Sequence, residues 1–534
     1  MTGQKFASSR DGVVTSPHAL ATQSGLKVLR QGGNAIEAAL ATAATLAVVY
    51  PHMNSLGGDG FWLVADGVGW VRGISGAGPA GRAYTARFYL DQGFKQIPER
   101  GPLAANTVAG IVGLWHAAYE HSRSVWGGQF SWGDLLEDAV TYAEQGFPLS
   151  KDHWEVLCEQ RTQLESIREF RQVFLADGEH LSPGQIFVQP QLARTLKQLQ
   201  SEGAESFYRG PLASRIVAGL HQVGSRLCAE DFRNYNAQWV EPITATYRGG
   251  ILVNLPPPTQ GLASLMILAL LDRCDFRSSN HLSARYIHYA VEATKLAFEV
   301  RDRYVTDPDF ADVPVSELLS SAFLDSLVAK INPRQARPYP PPACETDTVW
   351  YGVVDREGRA VSAIQSIYHP FGSGVVVGDT GILWQNRGCA FSLDRRQVNC
   401  IVPGKRPRHT LNPAMFFTKS RLHLVYGTMG GEGQPQTQAA LVTRVLDFGL
   451  SLVEAIDAPR WLLGRTWGAP SVTLKLERRF DDRVYQELAD LGHVVEWVAP
   501  YCRSMGHAGV IRLTAEGGYE AVADPRSDGA ALGV

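Results

Sequence analysis

The sequence predicts an α+β fold in which sheets are covered by helices in layers. Three observations carry that expectation. Amphipathic and Ala-rich helical patterns open the chain and fill most of residues 109–331. From Thr348 onward the pattern changes to short apolar strands. Two further helical stretches and a last pair of strands then close the chain.

Taken in order, residues 17–31 place Leu20, Leu26, Val28 and Leu29 on a helix that stops at Gly32-Gly33. Asn34 then caps a second helix over 35–49, with Glu37 in the capping-box position. A polar, Gly-rich loop (51–60) leads into a strand at 61–65, paired with another near 70–74 across Asp66-Gly67. Helices are expected over 109–122, 133–145, 190–203, 211–223, 261–272, 283–304 and 316–330, with an isolated strand at 247–254. The later strands are 348–355, 359–367, 374–377, 411–418, 422–427, 494–499 and 508–513, and the later helices 434–449 and 482–492.

Bulk properties narrow the function. At 534 residues the chain can bury a large core, and length alone allows two to four domains. A net charge of −3 with no basic block argues against nucleic acid and anionic membrane as partners. The seven cysteines are scattered without a C-x-x-C pair, which fits reduced thiols in a cytoplasmic protein. The first residues lack an apolar segment of the secretory type. The longest apolar run, 38–50, is too short to span a bilayer. No GxxxxGK[ST], HExxH or GxSxG occurs, and Gly76 to Gly81 matches GxGxxG only as a string broken by Pro79. The 14 histidines show no metal-ligand spacing, so neither metal nor cofactor is expected.

The stretch from Cys344 to Gly358 carries the chemistry. A Pro-rich run, 338–342, is followed by a strand that opens on Thr348. If the Asp347-Thr348 bond were cut, Thr348 would become a new N-terminus. Its own α-amino group, with a reference pKa of about 7.7–8.0, would then serve as the base that a Thr hydroxyl needs. The cut itself can begin with attack of the Thr348 hydroxyl on the Asp347 carbonyl, and water then hydrolyses the ester. The same Thr is also an ordinary β-branched residue at a strand start. Gly430 and Gly431, between a strand and a helix, can supply backbone N–H donors for an oxyanion. Ser366 on the next strand can face Thr348, and 403–413 is a loop dense in polar side chains.

In this order the motifs LRQGGNAIEAALATAATLAVVYPHMNSLGGDG, RYVTDPDF, TVWYGVVD, FGSG, GILWQNRG, PGKRPRHTLNP and GTMGGEGQPQTQ resemble the γ-glutamyltranspeptidase family of N-terminal nucleophile hydrolases. The resemblance runs over nearly the whole chain. It implies a four-layer αββα sandwich, one large domain built from two autoprocessed subunits, 1–347 and 348–534, that stay together. It further implies an acyl-enzyme mechanism with Thr348 as nucleophile, Gly430 and Gly431 as the oxyanion hole and Ser366 supporting the nucleophile. Assembly as a homodimer of heterodimers is compatible with it.

The departures point to a different substrate. Val349-Trp350 stands where the family usually has Thr-His. Ser75 to Pro79 matches the stretch that usually carries the Arg for a γ-glutamyl α-carboxylate, and Ala390 replaces the acid that holds the α-amino group. Tyr368 replaces an Asn, and His409 and Thr410 replace paired serines. Losing charge-assisted bonds of about 1.5–3 kcal/mol each would cripple γ-glutamyl binding. Arg387 stands at a usually uncharged position, where its guanidinium can fork onto a small carboxylate or form a structural salt bridge. With Tyr368, His409 and Trp350 expected to shrink the pocket, the pattern looks like the oxamate amidohydrolase branch, which releases ammonia from oxamate in purine catabolism. A γ-glutamyltransferase or glutathione hydrolase with an atypical head-group site is the second expectation. A cephalosporin-acylase-like amidase is a more distant one, and an uncut, inactive scaffold is a third.

Overall fold

A computed structural model describes residues 4–175, 181–339, 347–466 and 471–534. Two antiparallel sheets of seven strands dominate it. The first runs Ala530–Gly533, Gly12–Ser16, Asp347–Asp355, Ala360–Tyr368, Asp59–Ala65, Val71–Gly76 and Gln238–Val240. The second runs Phe6–Ser9, Tyr519–Ala523, Ala508–Leu513, Arg421–Thr428, Ala414–Thr418, Gly250–Asn254 and Ile243–Tyr247.

Alternation along the strands builds the layers. In Asp347–Asp355, Trp350 and Val354 point into a core shared with Met415, Val425 and Ile511 of the second sheet. Val349, Tyr351 and Val353 point the other way, into the cluster that includes the helices Ala19–Arg30 and Ala35–Val49. On the far side, Leu252, Phe416, Leu424 and Val510 pack against the helices Gly261–Leu271, Ala284–Tyr304 and Gly433–Leu446. The order is helix, sheet, sheet, helix: the αββα sandwich.

Local signals placed several helices correctly. The Asn34 side chain accepts from the Ile36 and Glu37 N–H groups, and Glu37 accepts from Asn34 N at 2.9 Å. This capping box opens an Ala-rich helix whose every residue is buried, so close packing rather than amphipathicity holds it. Two expectations are corrected. The strand predicted at 247–254 is the second arm of a hairpin with Ile243–Tyr247, turning at Arg248 and Gly249, both at positive φ (48° and 76°). The helix predicted at 316–330 is two short ones, Val315–Leu318 and Ser321–Val328, because the Ser320 side chain caps the second. The Pro-rich linker expected before Thr348 falls largely at 340–346, outside the described residues.

Trp350 also departs from expectation. It fills the inter-sheet core instead of narrowing a substrate pocket, with its indole N–H donating to Ser362 Oγ at 3.0 Å. Two glycines of the second sheet make the room: a Cβ on Gly427 would lie 2.1 Å from the Trp350 ring, and one on Gly509 2.2 Å. Trp350→Ala should therefore cost about 3–5 kcal/mol by opening a cavity between the sheets. Urea unfolding of the variant beside the parent checks this, and an unchanged midpoint would contradict it.

Candidate active site

Thr348 is buried, second in its strand, near the centre of the first sheet. Asp347 pairs with Tyr368 and Val349 with Gln365, so Ser366 and Ile367 together oppose Thr348. This is a bulge of two residues against one, which bends the neighbouring strand beside Thr348. Beyond it the backbone is strained at Tyr368 (φ 82°) and Phe371 (φ 59°), both non-glycine residues in the left-handed region. The Tyr368 N–H donates to Ser366 Oγ at 2.8 Å, which fixes that hydroxyl beside the strand end.

From the second sheet, strand Arg421–Thr428 runs into Met429, Gly430 and Gly431 and then the helix Gly433–Leu446. Gly430 and Gly431 sit at φ 121° and 50°, positions that favour glycine. Among the described residues, neither N–H is given to a backbone carbonyl. Gln434, in the first turn of that helix, donates from Nε2 toward Thr348 Oγ1 at 3.4 Å. Its Oε1 accepts from Asn412 Nδ2 at 3.3 Å, so the amide is oriented with its donor toward the threonine. Gln260 Nε2 ties the carbonyls of Thr410 (2.6 Å) and Gly431 (2.8 Å) together. Arg301 holds the Gln260 oxygen at 3.1 Å and also pairs with buried Glu432 at 3.0 Å. A polar scaffold thus fixes the glycine loop from behind.

Arg387 is fully buried within a short 3₁₀ turn, Arg387–Ala390. One guanidinium nitrogen reaches Thr410 Oγ1 and another Ser366 Oγ, each at 3.3 Å, while the plane lies 4.1 Å over the Tyr368 ring. His409 packs edge-on against Phe61, and its Nε2 lies 3.2 Å from Asp59 Oδ2 without the alignment of a hydrogen bond. Burial, and then the nearby Arg387 charge, push the His409 imidazole down to about 4, so it is neutral near pH 7. Asp59 Oδ1 meanwhile accepts from the Gly78 and Gly110 N–H groups and from Gln385. Tyr368, Ala390, Arg408, His409 and Thr410 line a small polar cavity.

The structure therefore brings Thr348, Ser366, Arg387, Tyr368, His409, Thr410, Gly430 and Gly431 to one end of the sandwich and leaves Trp350 in the core. Sequence reasoning did not single out Gln434, Asn412, Gln260 or the Arg301–Glu432 pair. The first two lie inside quoted motifs. Their roles depend on contacts that join distant parts of the chain.

Buried neutral histidines also set an acid limit. His18 is held at about 3, and His409 and His507 at about 4, with burial the largest cause in each. Each folded value lies below the unfolded 6.5, so the stability from keeping the ring neutral is complete above pH 6.5 and is lost as pH falls toward 4. The slope is about 1.4 kcal/mol per pH unit for each ring. Asp528, raised to about 6 by burial and the Asp152 charge, opposes this between pH 3.8 and 6. Three rings outweigh one carboxyl, and the melting temperature should fall from pH 7 to pH 5. Equal melting temperatures at the two values would refute the balance.

An αββα sandwich with this site defines an N-terminal nucleophile amidohydrolase. Comparison with known proteins agrees: the chain belongs to the γ-glutamyltranspeptidase family, whose model, described as Gamma-glutamyltranspeptidase, matches residues 21–534. It is 48% identical over 525 residues to the oxamate amidohydrolase proenzyme of Klebsiella pneumoniae subsp. pneumoniae, covering 98% of this chain and 99% of that protein. It is 43% identical over 527 residues to the glutathione hydrolase-like YwrD proenzyme of Bacillus subtilis, covering 98% of each. Its fold matches the crystal structure of cephalosporin acylase from Bacillus halodurans with a TM-score of 0.91 at 32% identity, over 99% of this chain and 97% of that one. Among the described residues no helix is long and apolar enough to cross a membrane.

Proposed function

We propose that this enzyme cuts itself between Asp347 and Thr348 and then hydrolyses a small amide bearing a carboxylate, with oxamate the best candidate. The carrying observation is Arg387, fully buried, with its guanidinium spread across Ser366 and Thr410 beside Thr348's strand. A guanidinium there can bind a two-carbon acid by its carboxylate. The 48% identical relative named as an oxamate amidohydrolase supports the same choice.

These positions support the following reaction. The Thr348 α-amino group takes the proton from Oγ1 as that oxygen attacks the amide carbon. The Gly430 and Gly431 N–H groups face the oxyanion, and Gln434 steadies the hydroxyl. Collapse breaks the C–N bond, and the proton held by the amine leaves on ammonia. Water, deprotonated by the same amine, then attacks the oxalyl ester to release oxalate and restore the threonine. The two fragments, 1–347 and 348–534, remain together because the strand that starts at Thr348 is hydrogen-bonded between Gly12–Ser16 and Ala360–Tyr368. Parting them would expose the centre of a sheet.

The test measures ammonia from oxamate beside p-nitroaniline from a γ-glutamyl anilide, using one processed preparation. We expect turnover of oxamate and little of the anilide. Strong anilide turnover with none on oxamate would reverse the assignment and favour the γ-glutamyl reading, which the 43% identical glutathione hydrolase-like relative keeps in view.

A further inference from the structure

Far along the chain from the candidate active-site loops, three ligand-bearing side chains converge. His288 and Glu292 lie one turn apart on the helix Ala284–Tyr304, and His493 follows the helix Asp482–Asp490. Their ligand atoms lie within 4.8 Å of one another, and all three residues are buried. We propose that His288, Glu292 and His493 bind a divalent late first-row transition cation such as Zn²⁺.

Three features favour ligands over a chance cluster. First, His288 Nε2 lies 2.8 Å from the Asn332 carbonyl, an acceptor only, so that nitrogen must carry the proton. The lone pair of a neutral His288 is then on Nδ1, which faces His493 Nε2 at 2.9 Å. A ring N–H fixed on a backbone carbonyl is the arrangement that orients metal-binding histidines. Second, all three residues are buried, unlike the solvated acidic clusters common on protein surfaces. Third, the His493 backbone is anchored, its main-chain N–H donating to the Leu488 carbonyl at 3.1 Å behind Gly492 at φ 96°.

The neighbouring charges choose the cation. Lys295 donates to Glu292 Oε1 at 2.7 Å, and the Arg337 N–H is shared between both carboxylate oxygens at 3.2 Å. The Lys295 charge offsets the carboxylate, so two imidazoles dominate the donor set. That disfavours Ca²⁺ and Mg²⁺, which prefer several oxygens, and suits Zn²⁺, Ni²⁺ or Cu²⁺. The location gives the site a purpose. Asn332, Ala336 and Arg337, which bond to His288, Leu491 and Glu292, form the stem that leads toward the linker. A cation here would fasten that stem, and with it the end of the first fragment, to a residue of the second.

The experiment uses the full-length protein, stripped with chelator and then given Zn²⁺ or Co²⁺. Metal retained after gel filtration is counted by mass spectrometry, and Co²⁺ coordination is read from its visible absorption. We expect one equivalent bound, a Co²⁺ spectrum of low coordination number, and a higher melting temperature. His493→Ala and Glu292→Gln should each lose that equivalent. No uptake by the parent overturns the proposal, and so does an equivalent that both variants keep or a preference for Ca²⁺ or Mg²⁺. Should the variants fail to fold, Zn²⁺ protection of His288 and His493 from diethylpyrocarbonate in the parent decides the matter. Unprotected rings count against the site.

Discussion

Thr348→Ala should leave the chain as a single 58.3 kDa species and abolish hydrolysis. Two losses coincide in that variant. Without the hydroxyl nothing attacks the Asp347 carbonyl, and without the cut no α-amino base is generated. Removing a nucleophile typically costs several orders of magnitude, so residual ammonia release should fall by at least about 10⁴-fold. Thr348→Ser keeps the hydroxyl and should still cut, more slowly, because the methyl group that helps fix the rotamer is gone. Denaturing gels and intact mass read the cleavage, and coupled ammonia assays read the activity. Parent-like fragments from Thr348→Ala would remove the premise of self-cleavage at this bond.

The second large effect is expected at Arg387. Arg387→Ala removes both arms of a guanidinium buried beside Ser366 and Thr410. Charge-assisted hydrogen bonds contribute about 1.5–3 kcal/mol each, so losing two should lower kcat/KM for oxamate by about 10²–10⁴-fold, mainly through KM. Arg387→Lys should recover little, since one ammonium cannot reproduce a planar fork or the stacking on Tyr368. Oxamide, the neutral analogue, provides the control. Its slower turnover should be hardly changed, because it offers no carboxylate to lose. An equal fall on both compounds would mean that Arg387 shapes the site without binding the acid.

Which parts of this were legible in the chain follows from the range of the contacts involved. The Asn34–Glu37 capping box spans three residues and announces itself. The Gly430-Gly431 pair was readable because a strand, glycines and a helix follow one another directly. Arg387 stood out only against the family resemblance, as a charge at a usually uncharged position. Gln434 did not, because its meaning depends on Thr348, 86 positions earlier, and on Asn412. His288 and His493 are 205 positions apart, and no local spacing could pair them. Edge strands such as Phe6–Ser9 and Ala530–Gly533 escaped notice because they are short and partly exposed. Trp350 was misplaced for a related reason: the glycines that receive it, Gly427 and Gly509, belong to another sheet.

That tryptophan and its two glycines work as a key and slot, and the slot constrains any redesign of specificity. Trp350 is two residues from Thr348 on the same strand, so the seating of its ring helps set where the threonine hydroxyl rests. Placing a Thr-His pair at Val349-Trp350 would leave the slot half empty and let the strand shift. Enlarging Gly427 or Gly509 alone would push the ring out. Rebuilding the strand beside Thr348 therefore calls for coordinated substitution of all three residues, an uphill route for single mutations. The geometry that makes the site rigid also makes its chemistry slow to diversify.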